Sequence, residues 1–286
     1  DVVLSMTDPP GLAMLGHYLT RHFGPKSAHI HWAQDLYPHL MPVLGVRIPA
    51  FVQKRWKNWH RNCLNQSYRS VVIGRCMARV LLKDGVAKDV LTLIPNWPAG
   101  AGGPDPARYE GQNLRNICPE PWQFLYAGRL GRGHPYESFL RGAELMNGEQ
   151  TNWPVRFTFL CDGPGAEDLA RKRSEKGLEA IRVLPPQPPG SYRNLARQAA
   201  IHVVTLSHEA QGLMVPSKFY AALHFQRPVR FVGPENCEVA AMITEFDCGW
   251  VIDPGESPGE KAGGEKLAEL VRNLDSDPDL WVRKFR

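Results

Sequence analysis

The stretch IHVVTLSHEAQGLMVPSKFYAALHFQRPVRFVG, residues 201–233, decides how this chain is read. IHVVTL is dominated by β-branched residues, which fits a strand buried on both faces. A helical pattern follows over 216–226, opened by Pro216, and PVRFVG reads as the next strand. Strand, helix and strand in this order is the unit of a parallel sheet. Between the first strand and the helix lie Glu209, Gly212 and the triplet Pro216, Ser217 and Lys218. Ligands of parallel sheets bind outside the carboxyl ends of the strands, so this turn is a candidate site.

The same alternation extends in both directions. Toward the C-terminus come a helix over 237–246, the strand GWVID and a helix over 264–275. Upstream, the strands QFLYAG, VRFTFLCDG and IRVLP alternate with helices over 135–147, 165–176 and 191–200. Residues 99–121 are rich in Gly, Pro and polar residues and read as a linker. Before them, DVVLSM, AHIHWAQ, SVVIG and VLTLIPN alternate with helices over 11–23, 50–64 and a stretch ending at Gly85. Two such series imply an α/β protein of two Rossmann-like domains with parallel sheets, 1–98 and 122–286. The chain opens at Asp1 directly in a strand-like run, so the first domain is expected to be incomplete, cut at its N-terminus.

A composition of 43% hydrophobic and 22% charged residues excludes a disordered chain. No apolar run reaches the roughly 18 residues of a membrane span. Six scattered cysteines without a CxxC pattern point to reduced cytosolic thiols. Charge is uneven: residues 1–100 hold 12 Lys and Arg against 5 Asp and Glu, and the remainder holds 22 against 24. The basic excess of the first third suggests an anionic surface or substrate on that side. RIPAFVQKRWKNWHR (47–61) carries five of those cations, no acid, and Phe51, Trp56 and Trp59. Such a stretch either lies on an anionic membrane surface or is a solvated helix covering the sheet. Nothing points to a nucleic-acid partner. The acids of DSDPD (275–279) read as a helix-ending turn, and no metal is expected there.

Four loops could carry chemistry. In YAGRLGRGH (126–134), Gly128 and Gly131 allow close backbone approach, and Arg129, Arg132 and His134 follow. Free backbone N–H groups and arginines suit a phosphate or diphosphate, although a Gly-rich turn with solvated arginines looks the same. CDGPG (161–165), with Gly163, either wraps a nucleotide or is a tight turn. At the opening stretch, Lys218 and the helix start at Pro216 can hold an anion, Ser217 offers a hydroxyl, and Glu209 can accept bonds from sugar hydroxyls. The bland alternative is a capped helix with a surface Glu–Lys pair. In HIHWAQDLYPHL (29–40), His31 reads as a core residue, and Asp35 either aligns a hydroxyl or caps the next segment.

The order of these segments resembles the GT-B glycosyltransferases of family 4, in particular the bacterial subgroup that builds O-antigen, capsule and exopolysaccharide units. WAQDLYP (32–38), VVIGRCMA (71–78), LIPNW (93–97), YAGRLGRGH, FLCDGPG, GLMVPSKFYAALHFQRPV (212–229), GPENCEVAAMI (233–243) and CGWVIDPGE (248–256) carry the likeness. It implies a retaining transferase using a nucleotide sugar, a UDP-sugar before others, and a lipid-linked or saccharide acceptor. Arg129 and the Gly128–Gly131 turn then match the position that neutralises the donor diphosphate. Arg132 and His134 are nearest to a lysine that many relatives carry. Glu209 matches the first acid of an E-x7-E element, on the sugar hydroxyls. The second acid falls at Ser217, a departure, and Lys218 becomes a phosphate or nucleotide contact. Asp35 falls near an acceptor-side polar position. With arginines and a lysine stabilising charge on the leaving phosphate, no metal is required. The expected location is the cytoplasmic face of the plasma membrane. The competing readings are a sugar-nucleotide epimerase of the same architecture and a nucleotide-binding fragment without turnover.

Overall fold

The computed structural model describes residues 1–24, 26–98, 122–152, 154–255 and 260–285. The linker read at 99–121 lies outside them. The chain divides into two compact units. Unit 1 comprises Asp1–Asn96 with Glu209–Val215 and Asn236–Glu238. Unit 2 comprises Trp97–His208, Pro216–Glu235 and Val239–Arg286. Two short segments beyond residue 122 therefore group with the first sheet.

Unit 1 is built from β1 (Val2–Met6), α1 (Leu12–Phe23), β2 (Ala28–Ala33), α2 (Tyr37–Val43), α3 (Ala50–Asn65), β3 (Arg69–Val72), α4 (Arg75–Lys83) and β4 (Leu91–Leu93). Its four strands are parallel in the order β1-β2-β3-β4. Along β2, the period of two buries His29, His31 and Ala33 on one face. Histidines at core positions require partners. The Ser5 hydroxyl bonds His29 Nε2 at 2.7 Å and His31 Nδ1 at 2.9 Å. Ser67 bonds His29 Nδ1 at 2.9 Å and donates to the Cys63 carbonyl at 2.8 Å. His60 of α3 meets His31 edge-on at 5.9 Å. Burial, reinforced by neighbouring imidazoles, lowers His31 to about 3 and His60 to about 4. His31 is thus a core residue, as its place in the strand suggested.

Unit 2 contains β5 (Trp122–Ala127), α5 (Glu137–Met146), β6 (Val155–Leu160), α6 (Pro164–Glu175), β7 (Ile181–Leu184), α7 (Pro189–Gln198), β8 (Ile201–Thr205), α8 (Lys218–His224), β9 (Val229–Val232), α9 (Glu238–Phe246), β10 (Gly249–Ile252), α10 (Glu260–Ser276) and α11 (Asp279–Phe285). Its six strands are all parallel in the order β10-β9-β8-β5-β6-β7. The first strand of the unit, β5, is central. The chain adds β6 and β7 on one side, then crosses through α7 to add β8, β9 and β10 on the other. That is the doubly wound order of dinucleotide-binding sheets, with its switch point between β5 and β8. Trp122, Phe124, Tyr126, Phe157 and Phe159 fill the core on β5 and β6.

Two helices were not foreseen. α2 carries Pro38 in its first turn and Pro42 inside, residues that argue against a helix, yet Pro38 stands where its missing N–H costs nothing. α11 follows the DSDPD acids, which read as a final turn. Asp277 instead accepts the Asp279 N–H at 3.1 Å and pairs with Arg283 at 2.9 Å. The fully buried Trp281 anchors this helix, donating Nε1–H to the Ala200 carbonyl at 2.7 Å. α10 starts at Glu260, four residues before the expected 264.

Candidate functional site

β5 ends at Ala127, and Gly128 turns the chain at φ +131°, a conformation that side chains rarely adopt. The Lys218 side chain lies on this glycine, close enough that a Cβ at 128 would stand 2.6 Å from its Cε. Its ammonium sits 5.1 Å from the centroid of the Tyr126 ring. Among the described residues it forms no ion pair with a carboxylate, and burial alone lowers its pKa to about 8. A largely buried cation held by a ring and a glycine, without a counter-ion, is a ready partner for an anion.

The loops after β5 and β6 are knitted together. Tyr126 OH donates to the Arg129 carbonyl at 2.9 Å. Leu130 N–H donates to the Asp162 carbonyl at 2.9 Å, and Gly165 N–H to the Leu130 carbonyl at 3.0 Å. Gly163 makes this possible: its φ is +89°, and a Cβ there would meet the Leu130 carbonyl oxygen at 3.2 Å and Arg129 Cγ at 3.3 Å. The exposed Arg129 side chain therefore runs over Gly163 at the start of α6. Arg132 is also exposed, and the space around Gly131 is open.

His134 is held differently from the arginines. Its Nδ1 lies 2.7 Å from the Thr205 carbonyl, which can only accept, so Nδ1 carries the proton. Burial, and then the charge of Lys218, lowers its pKa to about 4. At neutral pH His134 is a neutral imidazole and adds no charge beside Lys218. Pro216 is buried and Ser217 exposed; the Phe219 N–H bonds the Pro216 carbonyl at 3.2 Å, closing the first turn of α8. Beside Lys218 a cavity of 320 Å³ opens over β5 and β8, lined among others by Leu125, Ala127, Tyr192, His202 and Ser217. His202 is likewise neutral, bonded through Nε2 to the Ala196 carbonyl at 2.9 Å and lowered to about 4 by burial.

The remaining candidates belong to unit 1. Glu209 is exposed in the short turn His208–Ala210. Gly212, at φ +73°, is buried against α4, where a Cβ would meet Val80 Cγ2 at 2.8 Å and the Cys76 carbonyl at 3.0 Å. The close approach that Gly212 permits is to a helix. Asp35 follows β2 and pairs in an isolated bridge with Met214. Burial, then the Asp8 carboxylate, raises Asp35 to about 6. Unit 2 thus brings together Gly128, Arg129, His134, Gly163, Ser217 and Lys218. Two residues escaped the sequence reading. Asp8 stands in an Asp-Pro-Pro turn that reads as a loop, and Tyr126 sits in a strand where an aromatic signals only core.

No protein-family model matches the chain. It is 27% identical over 262 residues to a Pseudomonas aeruginosa protein named as the glycosyltransferase WbjE, covering 90% of this chain and 63% of the relative. It is 26% identical over 149 residues to an Escherichia coli protein named for colanic acid biosynthesis, the glycosyl transferase WcaI, covering 51% of this chain and 36% of the relative. The chain therefore spans less than two thirds of these relatives. Among solved structures, Anabaena Alr3699/HepE in complex with UDP superimposes with a TM-score of 0.69 at 12% identity, over 100% of this chain and 72% of that one. WaaG, a glycosyltransferase involved in lipopolysaccharide biosynthesis, superimposes with a TM-score of 0.60 at 15% identity, over 96% and 76%. The fold is that of the GT-B glycosyltransferases. Within this GT-B fold, the knitted loops and Lys218 lie at the carboxyl ends of β5, β6 and β8 in unit 2.

Proposed function

We propose that this chain acts as a retaining glycosyltransferase of bacterial surface-polysaccharide synthesis. Unit 2 holds the diphosphate of a nucleotide sugar, and the nucleotide is uridine diphosphate. One observation carries this reading: the largely buried Lys218 ammonium pairs with no carboxylate among the described residues and sits on Gly128 at the switch point of a doubly wound sheet. The names of WbjE and WcaI support transfer over epimerisation, and the UDP held by HepE supports uracil. As the nucleotide departs, negative charge grows on its β-phosphate, and Arg129 and Lys218 stabilise that charge without a divalent metal.

Glu209 holds hydroxyls of the transferred sugar, and Asp35 aligns the hydroxyl of a lipid-linked or saccharide acceptor. A carboxyl raised to about 6 exchanges its proton near neutral pH, which suits Asp35 to that task. The basic face of α3 rests on the anionic inner leaflet of the plasma membrane. Phe51 and Trp59, 76% and 57% exposed, stand there beside the exposed Lys54 and Arg55. Among the described residues no helix is long and apolar enough to cross a membrane.

The test is a calorimetric titration with UDP, and with GDP for comparison, without added metal. UDP binding weakened at least about tenfold by Arg129→Ala and by Lys218→Ala is the expected result. A folded chain that binds neither nucleotide would rule the reading out.

A further inference from the structure

We propose that Tyr126 is a positioning residue that sets two cations of the diphosphate site at once, Lys218 through the face of its ring and Arg129 through its hydroxyl. The inference rests on the donor reading above. Tyr126 is fully buried at the end of β5, two residues before Gly128. The Lys218 ammonium lies 5.1 Å from its ring centroid, within the range of a cation–π contact. The hydroxyl donates to the carbonyl of Arg129 at 2.9 Å and fixes the peptide from which that side chain runs over Gly163. The ring is itself held by Phe159 at 5.6 Å and by the edge of His134 at 6.4 Å. Burial pushes the phenol far above its usual range, so the hydroxyl stays a donor throughout the working pH range.

Core packing alone explains a buried ring but neither of these two contacts. A carboxylate would also hold Lys218, but it would neutralise the charge the donor needs. An aromatic face holds an ammonium while leaving that charge uncompensated. Phenylalanine would keep the lysine and release the Arg129 carbonyl. A non-aromatic residue would lose both contacts.

The experiment is a UDP titration across pH 7–9.5 with the wild-type chain, Tyr126→Phe and Tyr126→Met. In that window the terminal phosphate is already ionised. His134 and His202 are neutral, and Tyr192 is raised above its usual value by burial. Lys218 is the protein group at the site whose charge changes, so wild-type affinity falls as pH rises through its titration. The uracil N3–H of UDP also ionises toward the top of the window, identically for all three proteins, so the shift of the midpoint between them reports Lys218. Tyr126→Met fills the volume without a π face and should move that midpoint down by about half to one and a half pH units. Tyr126→Phe should leave the midpoint in place and weaken UDP about three- to tenfold at every pH. An unmoved midpoint in folded Tyr126→Met, or unchanged affinity in Tyr126→Phe, overturns the positioning role and leaves the donor reading intact. If Tyr126→Met does not fold, Tyr126→Phe decides alone. A folded wild-type chain that binds no UDP overturns the donor reading and the positioning role with it.

Discussion

The side chain of Lys218 crosses the backbone of Gly128 so closely that a methyl group on the glycine would stand 2.6 Å from the lysine Cε and 3.3 Å from its Nζ. Gly128→Ala therefore acts in two ways. The φ of +131° becomes strained, at a cost of about 1–3 kcal/mol. The flexible lysine end also swings away from Tyr126. Lower stability in chemical denaturation and a several-fold loss of UDP affinity are expected together. Intact affinity would mean that the position of the ammonium does not matter.

Asp35 carries a raised pKa, about 6, from burial and then from Asp8. A carboxyl whose folded pKa exceeds its unfolded value favours the protonated fold. Its ionisation therefore costs stability, a cost that grows as pH rises from about 4 to about 6 and stays constant above that. Asp35→Asn should stabilise the chain by about 1–3 kcal/mol at pH 8 and have little effect at pH 4. If Asp35 serves the acceptor, the same substitution lowers transfer. Asp8→Asn should shift the acid limb of the transfer pH profile downward. Denaturation curves at the two pH values and initial-rate profiles check both effects.

The histidines under α1 and α3 run the opposite way. His29, His31 and His60 are lowered to about 4, 3 and 4, by burial first and neighbouring imidazoles next. The unfolded chain takes up these protons near pH 6.5 and the folded chain does not. Stability is therefore full above about pH 6.5 and falls as pH drops toward 4. The slope is up to about 1.4 kcal/mol per pH unit for each histidine. Protection of the β2 amides, corrected for the intrinsic slowing of exchange in acid, should fall between pH 6.5 and 4.5. Corrected protection at β2 that stays constant across that range would contradict this.

On α3, Lys54, Arg55 and Lys57 flank the exposed Phe51 and Trp59. Replacing the three cations with Gln should weaken binding to anionic vesicles by about 1 kcal/mol per charge. UDP affinity should be unaffected. Vesicle co-sedimentation that does not respond to the substitutions, or to added salt, would remove the membrane from the proposal.

Much of the fold was legible because parallel sheets write themselves locally. IHVVTL, VRFTFL and PVRFVG are too β-branched and aromatic, and too short, to be anything but buried strands, and the helices between them carry a 3.6-residue pattern. α2 and α11 were not legible, because Pro42 and the DSDPD acids send local signals that distant partners override. Trp281 finds its hydrogen bond on Ala200, 81 residues away. The glycine-rich loops were visible as loops. What Gly163 and Gly212 are for was not, since one admits the Arg129 loop and the other a helix of unit 1.

The sequence by itself determined the alternation, the two series of elements and the residue types at the strand ends, since each depends on near neighbours along the chain. Only tertiary structure decided the strand order β7-β6-β5-β8-β9-β10, which puts residues 126–130 beside residue 218. It also decided protonation. His134 is neutral because packing buries it and then sets it beside the charge of Lys218, and Lys218 stays uncompensated among the described residues because a ring, not a carboxylate, lies within reach. Burial and long-range electrostatics depend on which atoms meet in space, and a pattern of neighbours along the chain does not contain that information.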